Sequence, residues 1–425
     1  MHTRNTSALA LSVAISAACA ATTAGAVDFT TAGGDWKFSV DGNVNVHYIY
    51  SSCQQQSSAQ AVATVGGACT GSQAGNSVSS VGNGLLPAAF TFAVSTTQNG
   101  IDLSAHLGLY PGIATNDGGS PNLQQNSQAF NTNVGLGTTG LDVRQVYMTF
   151  GNKDMGTFTL GRNFGLFGFD AIINDMTLPG VGVAGSASSA SPSNTTLGSI
   201  GFGYIYVDTL AQINYTTPDF SGFTGTIGIF NPVNPLLNAK TSVGRKTPGL
   251  HGKLAYNAPL GEDMKLYVSA TFVSQKQDYT TGALLNEYTA RGFDIFGKFS
   301  MAGFEFDASY YHGNGMGTTG YFILADDGRG NSRKSDGYLI QGTYKIGPVK
   351  FGVNYGVSKL DFANGADAIA IPNLLSKNSK ATEGIYYSLT KNLTLLGEIS
   401  EAKTQAHSGN QNKSTNFNIG AFLGF

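Results

Sequence analysis

Few residues in this chain have the type and spacing to carry chemistry. The six histidines are His2, His47, His106, His251, His312 and His407. If His47 and His106 share a face with Asp41 and Asp102, an imidazole and a carboxylate come within reach of a proton transfer. No motif surrounds a candidate nucleophile, however, and catalytic triads are defined by geometry rather than by spacing. The chain is therefore not expected to be an enzyme. No cluster of His, Cys, Asp and Glu has metal-ligand spacing, and no glycine-rich phosphate loop follows a strand and opens a helix. No cofactor or metal is expected. Cys53 and Cys69 lie in one polar segment, and in an exported chain a disulfide is their expected state, with metal binding by two thiols the weaker reading.

Export follows from the first 26 residues. Arg4 gives a short positive end, Ala8 to Ala21 an apolar core, and Ala24-Gly25-Ala26 a small-residue cleavage site. Residues 1–26 thus read as a signal peptide and 27–425 as the mature chain.

The elements that must position these side chains repeat one pattern. From Trp36 to Tyr50, the residues Trp36, Phe38, Val40, Val44, Val46, Tyr48 and Tyr50 fall on one face. Lys37, Ser39, Asp41, Asn43, Asn45 and His47 fall on the other. Sixteen such runs are legible, paired through short turns. They are 36–50, 87–97, 101–110, 141–150, 156–162, 203–216, 222–230, 249–258, 264–273, 290–299, 304–312, 337–346, 349–358, 383–390, 393–400 and 414–425. Seven tight turns alternate with longer polar segments such as 51–84 and 111–140, which read as surface loops. Asn99-Gly100 is the clearest of the turns.

Charged residues make up only 12% of the chain, and no mature stretch nears the ~20 apolar residues of a membrane helix. A β-propeller or β-sandwich would not leave an apolar face pointing away from the polar one on nearly every strand. The expected fold is all-β: a 16-stranded antiparallel transmembrane β-barrel, with lipid outside and water inside. Its lumen is lined by Asp41, Asn43, His47, Asp102 and His106. Basic residues are scattered and net charge is −2, so nucleic acid is not an expected partner.

One loop departs from the rest. Residues 163–180 carry Phe164, Leu166, Phe167, Phe169, Ile172, Ile173 and Leu178. An apolar loop in a wide barrel must pack, and the lumen is where it can do so. Val143-Arg144-Gln145-Val146-Tyr147, then 156–165 ending Gly161-Arg162-Asn163-Phe164-Gly165, then Asp170-Ala171 and Asp175-Met176, resembles the general diffusion porins of Gram-negative outer membranes. Tyr215 to Phe223 and the terminal Phe425 are also similar to segments of that family.

The resemblance implies a homotrimer set in outer-membrane lipid and lipopolysaccharide, passing small hydrophilic solutes and ions. It also implies an inward-folded third extracellular loop, over about 163–199. The loop carboxylate Asp175 would then face the wall residue Arg144 across a constriction, while Arg162 and Asp170 anchor the loop. A second loop carboxylate is missing, since Pro179-Gly180-Val181 stands where a Pro-Glu pair is common, and two further basic wall positions read Asn43 and Ala89. About 8 Å apart at an effective dielectric near 20, such a pair interacts by roughly 2 kcal/mol, less in salt. Without Arg4, 23 basic residues stand against 26 acidic ones, so weak selectivity with a slight cation preference is expected. A substrate-selective channel of the same fold, and a loop-mediated adhesin, are the alternatives.

Overall fold

The computed structural model describes residues 27–30, 35–54, 62–69, 77–113, 141–184, 195–233, 247–281 and 284–425. The leader expected at 1–26 and most of the loop expected at 111–140 lie outside the described residues. The described strands begin with β1 (Val27–Thr30), β2 (Lys37–Gln54), β3 (Ser77–Gly82), β4 (Ala89–Gln98), β5 (Ile101–Pro111) and β6 (Leu141–Asn152). Next come β7 (Gly156–Phe164), β8 (Thr209–Thr216), β9 (Phe223–Phe230), β10 (Gly249–Pro259), β11 (Met264–Thr281) and β12 (Leu284–Met301). The remainder are β13 (Phe304–Asn314), β14 (Lys334–Ile346), β15 (Val349–Leu360), β16 (Leu375–Ser388), β17 (Leu393–Ala406) and β18 (Gln411–Gly424).

Each strand from β4 to β18 pairs antiparallel with its successor, and the ring closes where β18 meets β2, with Lys413 opposite Gln54 and Gly424 opposite Asn43. Sixteen strands make the wall, all but β1 and β3. Those two short strands both pair with β2: β1 alongside its start, β3 alongside its far end, while β4 takes the nearer half.

Burial is inverted relative to a water-soluble domain. Along β2, Val44, Val46 and Tyr48 are 36%, 41% and 43% exposed while Asn43 and His47 are fully buried. Phe351 and Val353 on β15 are likewise exposed, between buried neighbours such as Asn354. Period-two alternation puts one set of side chains on each face of the wall. Lipid therefore meets the apolar set, and the wall strands pair their backbones with one another around the closed ring.

Several boundaries differ from the sequence reading, for physical reasons. The run expected from 203 begins as wall only at Thr209, because residues 203–208 belong to the loop inside the barrel. Strands β11 and β12 run on to residue 281 and from residue 284, and β17 and β18 extend to Ala406 and from Gln411. Beyond the lipid belt both faces meet water, so apolar alternation fades while backbone pairing continues. The segment 51–84, expected as a surface loop, carries a continuation of β2, the strand β3, and a stretch 62–69 whose Val62, Ala68 and Cys69 are buried.

Cys53 and Cys69 form a disulfide with their Cα atoms 5.5 Å apart. The bond holds 62–69 against the adjoining wall of β16 and β17, where Val62 packs on Leu375 and Ala406 and the Ala68 N–H donates to the Thr404 hydroxyl at 2.7 Å.

Candidate functional site

The interior is organised by the long connection between β7 and β8. Its apolar residues cannot face water, so they collapse onto one another inside the ring. Ala171, Ile172, Leu178, Val183, Leu197, Ile200, Phe202 and Tyr204 form one buried cluster with Leu339 of the wall. The turn into the lumen depends on Gly168, at φ 79°, where a Cβ would stand 2.5 Å from the Ile205 carbonyl oxygen. Its N–H donates to Asp294 of β12 at 2.6 Å, and the short helix α1 (Phe169–Ile173) follows.

The first turn of α1 carries Asp170, which is buried against the wall. Lys253 of β10 reaches both carboxylate oxygens, at 2.7 and 2.6 Å. The hydroxyls of Tyr267 (3.1 Å) and Ser269 on β11 also donate to it. The Lys253 ammonium lies over the Phe169 and Tyr267 rings as well, at 5.5 and 5.8 Å.

Asp175 joins the outgoing and returning limbs of the loop. One oxygen accepts from the Thr177 N–H (3.0 Å) and hydroxyl (2.7 Å); the other accepts from the Ser199 N–H (3.1 Å) and the Tyr204 hydroxyl (2.8 Å). Burial, reinforced by the Asp175 charge, holds the Tyr204 phenol well above its ordinary pKa.

Around this knot the far wall supplies further partners. Gln341 accepts from the Met176 N–H at 2.9 Å and donates to the Asn174 carbonyl oxygen and to Asp307. Glu398 accepts from the Val181 and Gly182 N–H groups, both at 2.8 Å, from the Tyr386 hydroxyl at 2.7 Å and from Asn418 at 3.1 Å. Lys380 donates to the Gly198 carbonyl at 3.0 Å.

Arg144 lies at the root of the loop, 6% exposed. Its Nε pairs with Asp142 at 2.7 Å, an Nη donates to the Tyr206 hydroxyl at 3.1 Å, and its guanidinium stacks 4.9 Å from the Tyr110 ring centre. Burial pushes the Tyr206 phenol up to about 12, with Arg144 opposing the rise. Burial also raises the Asp208 carboxyl, against the Thr209 N–H and the nearby Arg162. Arg162 itself is half-buried, and its Nε and one Nη have no hydrogen-bond partner. No ion pair among the described residues joins Arg144 to Asp175; Asp175 is satisfied by its own neighbours, while Arg144 keeps one buried Nη without a hydrogen-bond partner.

The remaining sequence candidates face the interior but do not converge. Asn43 accepts from Asn45 at 2.8 Å, and neither ring nitrogen of His47 has a hydrogen-bond partner. Asp41 accepts from the Thr91 hydroxyl, and Asp102, near a tight turn, accepts from Thr97 at 2.6 Å. His106 stacks on Tyr147 with centroids 4.5 Å apart and meets the Ser104 hydroxyl at 3.0 Å, so its polar partner is not Asp102.

Sequence reasoning missed a second inward loop. Residues 315–333 bury Met316, Tyr321, Phe322 and Ala325 against Phe167 and Ile205. The Tyr206 N–H donates to the Thr319 carbonyl at 2.9 Å and the Tyr321 hydroxyl to the Phe167 carbonyl at 2.9 Å. The signal was present, since Tyr321-Phe322-Ile323-Leu324 is as apolar as the loop that was recognised.

Residues 7–407 match the model of the Gram-negative porin family. No curated protein sequence matches the chain. Among solved structures, it is similar to the outer membrane channel DcaP of Acinetobacter baumannii, with a TM-score of 0.67 at 14% identity over 93% of this chain and 99% of that one. OmpF of Salmonella typhi follows at 0.55 and 14% identity, over 94% of this chain and 100% of that one. The trimer form of OmpT of Vibrio cholerae scores 0.50 at 12% identity, over 92% and 100%.

Proposed function

Because the chain belongs to the Gram-negative porin family, an outer-membrane β-barrel channel family, we propose that it is a general diffusion porin passing small hydrophilic solutes and ions. The observation that carries this reading is the inverted wall, with exposed Val, Phe and Tyr outside and buried Asn, Gln, His and Asp inside. Residues 1–26 are the signal peptide removed on export. The exposed apolar belt is the contact with outer-membrane lipid and lipopolysaccharide.

In this reading the loop at about 163–199 narrows the lumen. Asp175 and Arg144 flank the constriction, while Arg162 and Asp170 anchor the loop, and Asp41, Asn43, His47, Asp102 and His106 belong to the lumen lining. Asp175 and Arg144 have their charges largely taken up by adjacent donors and acceptors, which supports a weak transverse field and weak ion selectivity. A homotrimer is proposed from the family and from the trimer form of the similar OmpT structure.

Planar-bilayer recording of the purified protein tests the proposal. Large ohmic conductance steps are expected, and their absence would leave a loop-mediated role in adhesion. Saturating conductance with one class of solute would instead mark a selective channel.

A further inference from the structure

The geometry points to a binding site for small phosphate- or carboxylate-bearing solutes on the inner wall, at Lys345 and Lys350. The inference rests on the channel reading, since solute reaches this wall only through the lumen.

Lys345 on β14 and Lys350 on β15 stand directly opposite each other in the ladder. Both share the inward parity of Gln341, Thr343 and Asn354, while Tyr344, Ile346 and Phe351 between them face outward and are exposed. Two like charges directly across a strand pair repel, and an ion pair or hydrogen bond to a neighbour would ordinarily relieve this. Neither ammonium has a hydrogen bond or an ion pair among the described residues. Lys350 lies only over the Tyr386 ring, 4.9 Å from its centre.

The acids close enough to influence Lys350 are committed elsewhere. Glu305 is held by Lys298 at 3.0 Å. Glu398 is occupied by four donors, two of them backbone N–H groups of the inward loop. Lys298 is neutralised by that same Glu305 and also meets Asn174 of the loop at 3.4 Å, so the unpaired charge here is that of Lys345 and Lys350 alone. The result is unpaired positive charge on the inward face of the wall beside the 347–348 turn, with Lys345 exposed to water and Lys350 half-buried.

An oxyanion bridging two ammonium groups would make charge-assisted hydrogen bonds to both. Phosphate and carboxylate share this chemistry, whereas chloride, a single spherical charge, cannot span the pair in the same way. The Tyr386 ring beside Lys350 offers an apolar flank to the body of a small organic anion.

The test uses the full-length protein in planar bilayers, with inorganic phosphate titrated into KCl at constant ionic strength. Saturating reduction of the chloride-carried current is expected, and K345Q/K350Q should raise the half-effective concentration about tenfold, the scale of one charge-assisted contact. K153Q, in an exposed turn at the rim, removes the same charge and should change nothing. A non-saturating phosphate effect, or equal titrations for wild type and the double variant, would overturn the site.

A second measurement separates this from failure of the channel reading. In detergent-solubilised protein, phosphate should slow amine acetylation at Lys345 and Lys350 but not at Lys153. Absence of conductance in KCl sinks the channel; absence of protection at both lysines sinks the site.

Discussion

The contact between Asp170 and Lys253 gives the sharpest test of how the inward loop is held. The side chains are 4% and 13% exposed, so solvent screens the pair little. Asp170→Asn preserves shape but leaves the Lys253 ammonium buried beside Phe169 and Tyr267 without its anion. Breaking a buried pair from one side costs about 3–5 kcal/mol. The barrel is held by its ladders, so this cost falls on docking of α1. At about 3 kcal/mol, the docked-to-undocked ratio drops by about a hundredfold.

Hydrogen exchange of the amides of Phe169–Ile173 should accelerate accordingly, and single-channel records should become noisier. Removing both charges in D170N/K253M takes away the stranded ammonium and should recover most of the loss, the coupling that a double-mutant cycle isolates. Exchange within about twofold of wild type in D170N, or a double variant as labile as the single, would refute the reasoning.

Further outcomes are expected at other sites. Asp175→Asn and Arg144→Ala should each shift the reversal potential in a salt gradient, and unchanged potentials in both would put the constriction elsewhere. Cys53 and Cys69 are separated by 16 residues, and opening the bond by reduction or by C53S/C69S should release about 3 kcal/mol of constraint on the segment 62–69. Faster amide exchange confined to that segment checks this; exchange unchanged by reductant contradicts it. At the Arg333–Asp367 pair, burial raises the Asp367 carboxyl but the bidentate contact at 2.8 and 2.7 Å and the Ala363 N–H outweigh it, so its pKa is lowered. The sign is then fixed: the contribution is complete above about pH 4 and disappears as pH falls through the lowered folded value. Protection of the loop 315–333 should fall on acidification below about pH 4, and D367N should remove that pH dependence.

The wall was legible because period-two alternation is local. Val44, Val46 and Tyr48 against Asn43, Asn45 and His47 need no knowledge of distant residues. The tight turns were legible for the same reason, each closing within a few positions, as at Asn99-Gly100.

What could not be read was the partner of a charge inside the ring. Asp175 is satisfied by Ser199 and Tyr204, 24 and 29 positions downstream, and Asp170 by Lys253, 83 positions downstream. Arg144 finds Asp142 two residues away, a pairing that alternation alone does not favour over an acceptor across the lumen. Polar gaps misled for another reason. Outside the lipid belt a strand no longer needs an apolar face, so 274–281 and 284–289 looked like loop although their backbones remain paired.

The seam between β18 and β2 has a consequence for how the ring comes into being. Gly42 exchanges two backbone hydrogen bonds with Phe425, at 2.9 and 3.0 Å. The side of β2 that meets β18 therefore stays unpaired there until the segment reaching Phe425 has been delivered, and intermediates before that carry two raw borders. Contacts so remote in sequence close slowly, and open borders invite pairing with other chains. An assembly catalyst that grips the carboxyl-terminal strand, and lets go only when β2 replaces it, would meet both demands at once.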